Sequence, residues 1–304
     1  MKIVISGGAG FLGRRLTAAL VRDGHAVVIL SRSDRAVIPG ARTVRWDLEH
    51  ALSPWAADID GADAVINLAG EPIADHRWTA TQKHRIEDSR VTATRRIVAA
   101  IVESSRPPGV LVSGSGVGIY GACGDEIVTE ETGAGSDFLA GVSRRWEAQA
   151  VAASSASTRV VCIRTGLVLA HDGGALPKML PPFRFGVGGR LGSGRQYWPW
   201  IHWQDWVDIV RFVLGRSDAA GPINATAPAP VTNAVFTKEV GRALGRPTIA
   251  PVPGFVLRVV LGEMADSLLL SGQRAIPAKM TALGFRFSYP ALAGALDAIL
   301  HHPA

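Results

Sequence analysis

Residues Ile3-Val4-Ile5-Ser6-Gly7-Gly8-Ala9-Gly10-Phe11-Leu12-Gly13 run a β-branched apolar segment straight into a Gly-x-x-Gly-x-x-Gly turn, and an apolar-periodic stretch over 11–23 follows. Strand, tight glycine turn and helix in that order form the layout that cradles a dinucleotide pyrophosphate. Gly7 permits the tight turn. Gly10 lets the backbone approach the phosphates, where a Cβ would collide with them, and Gly13 lets the helix pack close to the strand. The helix N-terminus then offers unpaired N–H groups and the positive end of its dipole to the anion. The candidate cofactor-binding set therefore begins with Gly7, Gly8, Gly10, Phe11, Leu12 and Gly13.

The rest of the chain is consistent with that beginning. Strand-like runs fit at 3–5, 26–30, 64–68, 109–113 and 158–163, with a weaker one at 43–45, and helices fit at 11–23, 83–104 and 143–155. Alternation of this kind predicts an α/β fold, a Rossmann-like doubly wound parallel sheet. Period-2 alternation is poor in these strands, as expected where both faces are covered. Beyond 165 the texture changes. Gly173-Gly174, Pro181-Pro182 and Gly188-Gly189 punctuate a loop-rich region through to Trp200, a helix follows at 204–215, a Pro-rich stretch covers 225–230, and apolar helices run on to Leu300. The expected organisation is a dinucleotide-binding domain over 1–165, to which 201–226 returns, and a smaller, mostly helical substrate domain over 166–304.

Composition narrows the partners. Of 304 residues, 47% are hydrophobic, enough for a sizeable core. The net charge of +6 and pI near 9.8 come from scattered pairs such as Arg14-Arg15, Arg95-Arg96 and Arg144-Arg145, with no block of five like charges. Such pairs read as solvated helix faces, or as a surface suited to anionic small molecules; a nucleic-acid partner has only the pI behind it. Two cysteines, Cys123 and Cys162, form no disulfide framework or zinc site and read as reduced thiols of a cytoplasmic protein. The start of the chain has no signal-peptide pattern. The apolar segment 255–270 carries Arg258, Glu263 and Asp266, so it reads as an amphipathic helix and not a membrane span. His202 and Asp205 lack the further ligands a metal would need, and Asp205 reads as a helix cap. The expected partner is a polar or anionic small molecule, bound by a monomer or homodimer.

The end of the second strand selects the dinucleotide, because it reaches the adenosine ribose. A carboxylate there favours NAD; an arginine there pairs with the 2′-phosphate of NADP. The chain reads Leu30-Ser31-Arg32-Ser33 at that point, with no acidic residue. Arg32 offers a planar fork for phosphate, and Ser31 and Ser33 add hydroxyls. NADP is the expected cofactor. Trp46-Asp47-Leu48 follows the third strand, where Asp47 suits the adenine amino group, and Leu68-Ala69-Gly70 ends the fourth strand at the carboxyl edge where ligands sit.

At this point the residues resemble the extended short-chain dehydrogenase/reductase superfamily. The shared features are the 7–13 turn, Asn67-Leu68-Ala69-Gly70, Ser113-Gly114-Ser115 followed by Tyr120-Gly121, and Trp200-Ile201-His202-Trp203-Gln204-Asp205-Trp206. A closer resemblance is to the atypical "epimerase family protein" branch. It is carried by 67–72, Ser89-Arg90-Val91, Trp146-Glu147, Arg164-Thr165-Gly166, Gly173-Gly174-Ala175-Leu176-Pro177, Pro182-Phe183-Arg184, Gly192-Ser193-Gly194-Arg195-Gln196 and two C-terminal motifs, Gly262-Glu263-Met264-Ala265-Asp266 and Ser271-Gly272-Gln273-Arg274.

The superfamily's chemistry implies Tyr-x-x-x-Lys on a helix, the lysine lowering the tyrosine pKa so that the phenol shuttles a proton. Gly124, Ile201 and Ala293 stand four residues after the three tyrosines, so the motif is absent. Counting back from Trp146-Glu147, the resemblance puts Leu139 in the tyrosine position and Ser143 in the lysine position. It retains the catalytic serine as Ser115 and replaces the preceding helix's asparagine by Arg90, which would then face the cofactor. The other catalytic candidates are Tyr120, which either points toward the cleft or packs its ring in the core or under the nicotinamide, and Glu71, which is either a base or the partner of a nearby arginine. Lys178, Arg195, Trp198 and His202 are implied to stand in loops over the nicotinamide. Two readings stay open: an NADP-dependent oxidoreductase or epimerase with a displaced acid–base group, and a catalytically silent NADP-binding sensor or scaffold.

Overall fold

The computed structural model describes residues 1–33, 38–47 and 54–301. Seven strands among them form one parallel sheet: β1 (Lys2–Ser6), β2 (Ala26–Ser31), β3 (Ala41–Arg45), β4 (Ala64–Asn67), β5 (Val110–Gly116), β6 (Arg159–Thr165) and β7 (Gly221–Ala225). Their spatial order is β7-β6-β5-β4-β1-β2-β3, so the chain winds one way from β1 to β3 and the other way from β4 onward. The reversal leaves a crevice outside the carboxyl ends of β1 and β4, where Ser6 pairs with Asn67.

Both faces of the sheet are covered, which explains the unbroken apolar runs. Ile3, Ile5, Val27 and Ile29 face the side carrying α1 (Phe11–Arg22) and a helix over Trp203–Leu214. Val4, Val28 and Leu30 face the side of α2 (Ala80–Val102) and α3 (Phe138–Val151). Thr79 caps α2, accepting from the Gln82 N–H, and Asp137 caps α3, accepting from the Ala140 N–H. These caps start both helices ahead of the residues where apolar periodicity places them. The expected doubly wound sheet is therefore what the chain forms.

A second core lies under the C-terminal half, built from Leu176, Leu180, Phe183, Trp198, Trp200, Phe236, Val240, Leu292 and Leu296. The region expected as loop to Trp200 contains a helix over Leu176–Arg184, with Pro181 and Pro182 inside it. The expected helix over 255–270 is broken. It stops at Leu261, because Gly262 adopts φ +65°, and resumes as a short turn and a π-helix over Asp266–Leu270. Charged contacts tie this segment to the sheet's crevice side: Arg77 Nη2 donates to the Val259 carbonyl at 3.4 Å, and Lys83 pairs with Glu263. Among the described residues no helix is long and apolar enough to cross a membrane.

Candidate functional site

The glycine turn is packed on three sides and open on the fourth. Gly7 has φ +71°, and a Cβ on it would stand 2.7 Å from the Leu68 carbonyl. Gly13 is tighter still, with the Gly7 oxygen 2.1 Å from where its Cβ would be. Gly8 lies against Ile29 and Thr17. Gly10 is exposed, and among the described residues a Cβ on it would meet the Gly7 oxygen alone, at 3.2 Å. The first intrahelical bond of α1 runs from the Arg14 N–H to the Gly10 carbonyl at 2.9 Å. The amides of Phe11, Leu12 and Gly13 thus stand ahead of the helical ladder, and Gly10 has no side chain to cap them. A cradle that a Cβ would fill, lined with free amides, fits a pyrophosphate.

Asn67 locks the far wall. Its Oδ1 accepts from Ser6 Oγ at 2.6 Å and from the Ala69 N–H at 3.3 Å, while its Nδ2 donates to Thr94 Oγ1 at 2.8 Å. One buried amide thereby fixes the two strand ends and the Leu68-Ala69-Gly70 turn between them and α2. As a polar residue ending an apolar strand, Asn67 carried a signal for this role.

At the adenosine end, Arg32 is exposed and forms no hydrogen bond or ion pair among the described residues. Ser31 holds it there: its Oγ accepts from the Ser33 N–H at 3.1 Å and donates to the Ser33 carbonyl at 2.8 Å. The Ser31 hydroxyl is thus engaged within the turn. Asp47 follows β3, its carbonyl accepting from Trp55 Nε1 at 3.0 Å. Leu48 lies outside the described residues.

At the carboxyl end of β5 the structure assembles residues that sequence scatters. Ser115 Oγ lies 2.6 Å from Glu147 Oε1. Arg164 grips the same carboxylate with Nε at 2.8 Å and Nη2 at 2.9 Å. Its Nη1 donates to Tyr120 Oη at 3.0 Å and to the Glu130 carbonyl at 3.2 Å. Burial works against the charge of Arg164, but the bonds to Glu147 and the attraction of Glu147 and Tyr120 outweigh it and hold its pKa above the usual arginine range. Neither Glu147 nor Arg164 is among the candidates read from the sequence; the available signal is Arg164, a charge at the end of a buried strand, 17 residues from the helical Glu147 it grips.

Tyr120 does not point toward the cleft. It is 3% exposed, and its hydroxyl donates to Asn224 Oδ1 at 2.7 Å while accepting from Arg164. Burial pushes its pKa up. The 3₁₀ turn over Val117–Tyr120 rotates the ring inward to its buried partners. Leu139, the second residue of α3, packs on Gly118, and Ser143 is buried.

Arg90 lies against Gly70, with its guanidinium 5.2 Å over the Trp146 ring and Nη1 donating to the Glu71 and Ile86 carbonyls at 3.0 and 2.9 Å. Burial pushes its pKa down to about 10, partly offset by the charge of Glu71. The Glu71 backbone is held by Ser89 Oγ at 2.9 Å, and its carboxylate forms no hydrogen bond or ion pair among the described residues. The ring of Trp146 closes the floor beneath Gly114.

The residues implied over the nicotinamide divide. Lys178 pairs with Asp75 at 2.5 Å, and Arg195 is exposed. Trp198 and His202 are not in loops: both are buried in short strands, Trp198 edge-on to Phe236. His202 caps the helix over Trp203–Leu214 through Nδ1, so Asp205 is not the cap; its carboxylate accepts from the Ser288 and Tyr289 N–H groups at 2.7 and 3.0 Å. Burial pushes the Cys162 thiol up to about 12, as expected of an inert core cysteine.

Two stretches of the chain match known families. Residues 3–225 match the model of the NAD dependent epimerase/dehydratase family, and residues 252–299 match a domain of unknown function, DUF1731. An epimerase family protein of Mycobacterium leprae (strain TN) is 40% identical over 302 residues, covering 99% of this chain and 96% of the relative. The crystal structure of human epimerase family protein SDR39U1 (isoform2) with NADPH has a TM-score of 0.89 at 36% identity, covering 99% of this chain and 100% of that one. The crystal structure of a nucleoside-diphosphate sugar epimerase from Corynebacterium glutamicum has a TM-score of 0.79 at 36% identity, covering 99% of this chain and 58% of that one.

Proposed function

The chain belongs to the NAD dependent epimerase/dehydratase family, and from that membership we propose that it is an NADP-binding oxidoreductase or epimerase acting on a small polar substrate, without a Tyr-x-x-x-Lys pair. The observation that carries the cofactor is the open glycine turn together with Arg32, an exposed arginine with no partner among the described residues. The amides of Phe11, Leu12 and Gly13 would hold the pyrophosphate, Arg32 the 2′-phosphate, Asp47 the adenine, and Leu68-Ala69-Gly70 with Arg90 the nicotinamide half. A human relative crystallised with NADPH supports the same choice. When bound, the nicotinamide supplies a hydride donor or acceptor.

The chain's own groups divide the remaining work. Ser115, at the end of β5, hydrogen-bonds the substrate or the nicotinamide, and Arg90, midway along α2, faces the cofactor. Glu71, whose carboxylate is uncommitted, is the group able to move a proton. Tyr120, with its hydroxyl engaged twice in the interior, is withdrawn from that role. Lys178 and Arg195 suit an anionic substrate, and a relative named as a nucleoside-diphosphate sugar epimerase supports that class. A buried, unpaired Cys162 supports a cytoplasmic setting.

The inward-turned Tyr120 and the apolar Leu139 also favour a second reading, a silent NADP-binding sensor. Oxidation of bound NADPH across a panel of carbonyls and nucleotide sugars separates the two. Turnover with any member supports the enzyme; no oxidation across the panel supports the sensor; failure to bind NADPH overturns both.

A further inference from the structure

Ser115 ends β5 with its hydroxyl 2.6 Å from Glu147 Oε1 and its side chain nearly buried. A serine hydroxyl carries one proton and two lone pairs, so where that proton goes decides what the residue offers to the cleft. Glu147 receives two parallel bonds from Arg164, at 2.8 and 2.9 Å. That fork-on-fork arrangement belongs to an ionised carboxylate. An ionised carboxylate only accepts, so Ser115 is the donor, and 2.6 Å is the short spacing of an O–H on a charged oxygen. Arg164 cannot readily release the carboxylate, because Nη1 is engaged by Tyr120 and the Glu130 carbonyl. Glu130 is anchored in turn by the Asn224 N–H at 3.0 Å.

We propose that Glu147 is a positioning residue that makes Ser115 a hydrogen-bond acceptor, so that the group it recognises in the cleft is an N–H or O–H donor. This rests on the reading of the cleft as an NADP site. Two sources carry that chemistry: the carboxamide N–H of the nicotinamide, and the hydroxyl of an alcohol-level substrate. The oxygen of a ketone or aldehyde has no proton to give and would face the serine's lone pairs. A serine that polarises a carbonyl has the opposite polarity. The buried Glu147–Arg164 pair therefore biases this site toward binding the alcohol over the carbonyl partner of a redox couple.

Neutron diffraction from crystals in D₂O tests the polarity directly. The Ser115 deuteron is expected on the line to Glu147; a deuteron turned into the cleft overturns the proposal. Glu147→Gln should let Arg164 keep the amide oxygen while Nε2 donates to Ser115, swinging the deuteron away. A merely structural Glu147 would lower the melting temperature and leave the deuteron in place, which also overturns the proposal. If Glu147→Gln does not fold, the wild-type deuteron and the following titration still decide.

Tryptophan-fluorescence titration of wild type and Ser115→Ala with NADP⁺ and with its 3-acetylpyridine analogue, which keeps the carbonyl but lacks the N–H donors, assigns the source. A Kd for NADP⁺ raised about five- to tenfold, with the analogue unchanged, assigns the carboxamide. No change for either, with the deuteron on Glu147, assigns a substrate hydroxyl. Equal weakening of both ligands means Ser115 donates to the carbonyl and overturns the proposal. If wild type binds no NADP⁺, the cofactor reading fails by itself, and the deuteron alone decides the polarity of Ser115.

Discussion

Gly13 packs so closely under the glycine turn that a Cβ on it would lie 2.1 Å from the carbonyl oxygen of Gly7 and 2.8 Å from the Cα of Gly8. Both neighbours are backbone and cannot swing aside. Gly13→Ala should therefore push α1 off β1, destabilise the protein by about 1–3 kcal/mol in urea unfolding, and weaken NADPH binding at least about tenfold. Gly10→Ala is the contrasting case, because its methyl would meet only the Gly7 oxygen at 3.2 Å. It should keep its melting temperature and lose NADPH binding, since the methyl would fill the open face.

Arg32 is exposed and without a partner among the described residues, so removing its side chain should cost the fold less than about 0.5 kcal/mol. A charge-assisted bond to a 2′-phosphate is worth roughly 1.5–3 kcal/mol. Isothermal titration of Arg32→Ala should then show NADPH weakened about ten- to a hundredfold and NADH unchanged. Equal losses for both would remove the assignment.

The Glu147–Arg164 pair is almost fully buried, with side-chain exposures of 13% and 9%. Removing one partner of such a pair strands the other charge, at a cost of about 3–5 kcal/mol. Arg164→Met should lower the urea midpoint accordingly. Glu147→Gln added to Arg164→Met should recover part of the loss, because the stranded charge is gone. A double variant no more stable than Arg164→Met would contradict the pairing.

His202 gives the fold an acid limit. Its ring is buried against Tyr289, with centroids 3.8 Å apart, and Nδ1 caps a helix by accepting from the Gln204 N–H at 3.1 Å. Burial, then the charge of Arg15, pushes its pKa down to about 4. The unfolded chain takes up that proton near pH 6.5, before the folded chain does. Stability is thus complete above about pH 6.5 and falls by roughly 3 kcal/mol as pH drops to about 4. His202→Asn keeps a capping oxygen and does not titrate. The difference between wild-type and His202→Asn urea midpoints should therefore shift against wild type between pH 7 and pH 4.

What could be read from the sequence was what is local. The 7–13 turn and the strands beside it carry their own signals, because a parallel strand covered on both faces is a short apolar run bounded by glycine. Gly221–Ala225 carries none: glycine, proline and asparagine in five residues are poor strand formers, tolerated because β7 is an edge strand. Its spacing from Ser115 leaves Tyr120 between cleft and core, and its place in the core is settled by Asn224, 104 residues on. Ser115 was visible as a candidate; the carboxylate that sets its polarity was not, because Glu147 meets it only once α3 packs beside β5.

Phe11 opens α1 in the pyrophosphate turn, and its ring also supports the Gly173-Gly174 loop, where a Cβ on Gly173 would come within 2.3 Å of it. One aromatic ring is thus a party wall between the two halves of the chain. Recombination between relatives is constrained accordingly. A C-terminal half bearing a larger residue at position 173 would have to displace the Phe11 ring to seat on this N-terminal half, so the glycine is best exchanged together with its aromatic neighbour.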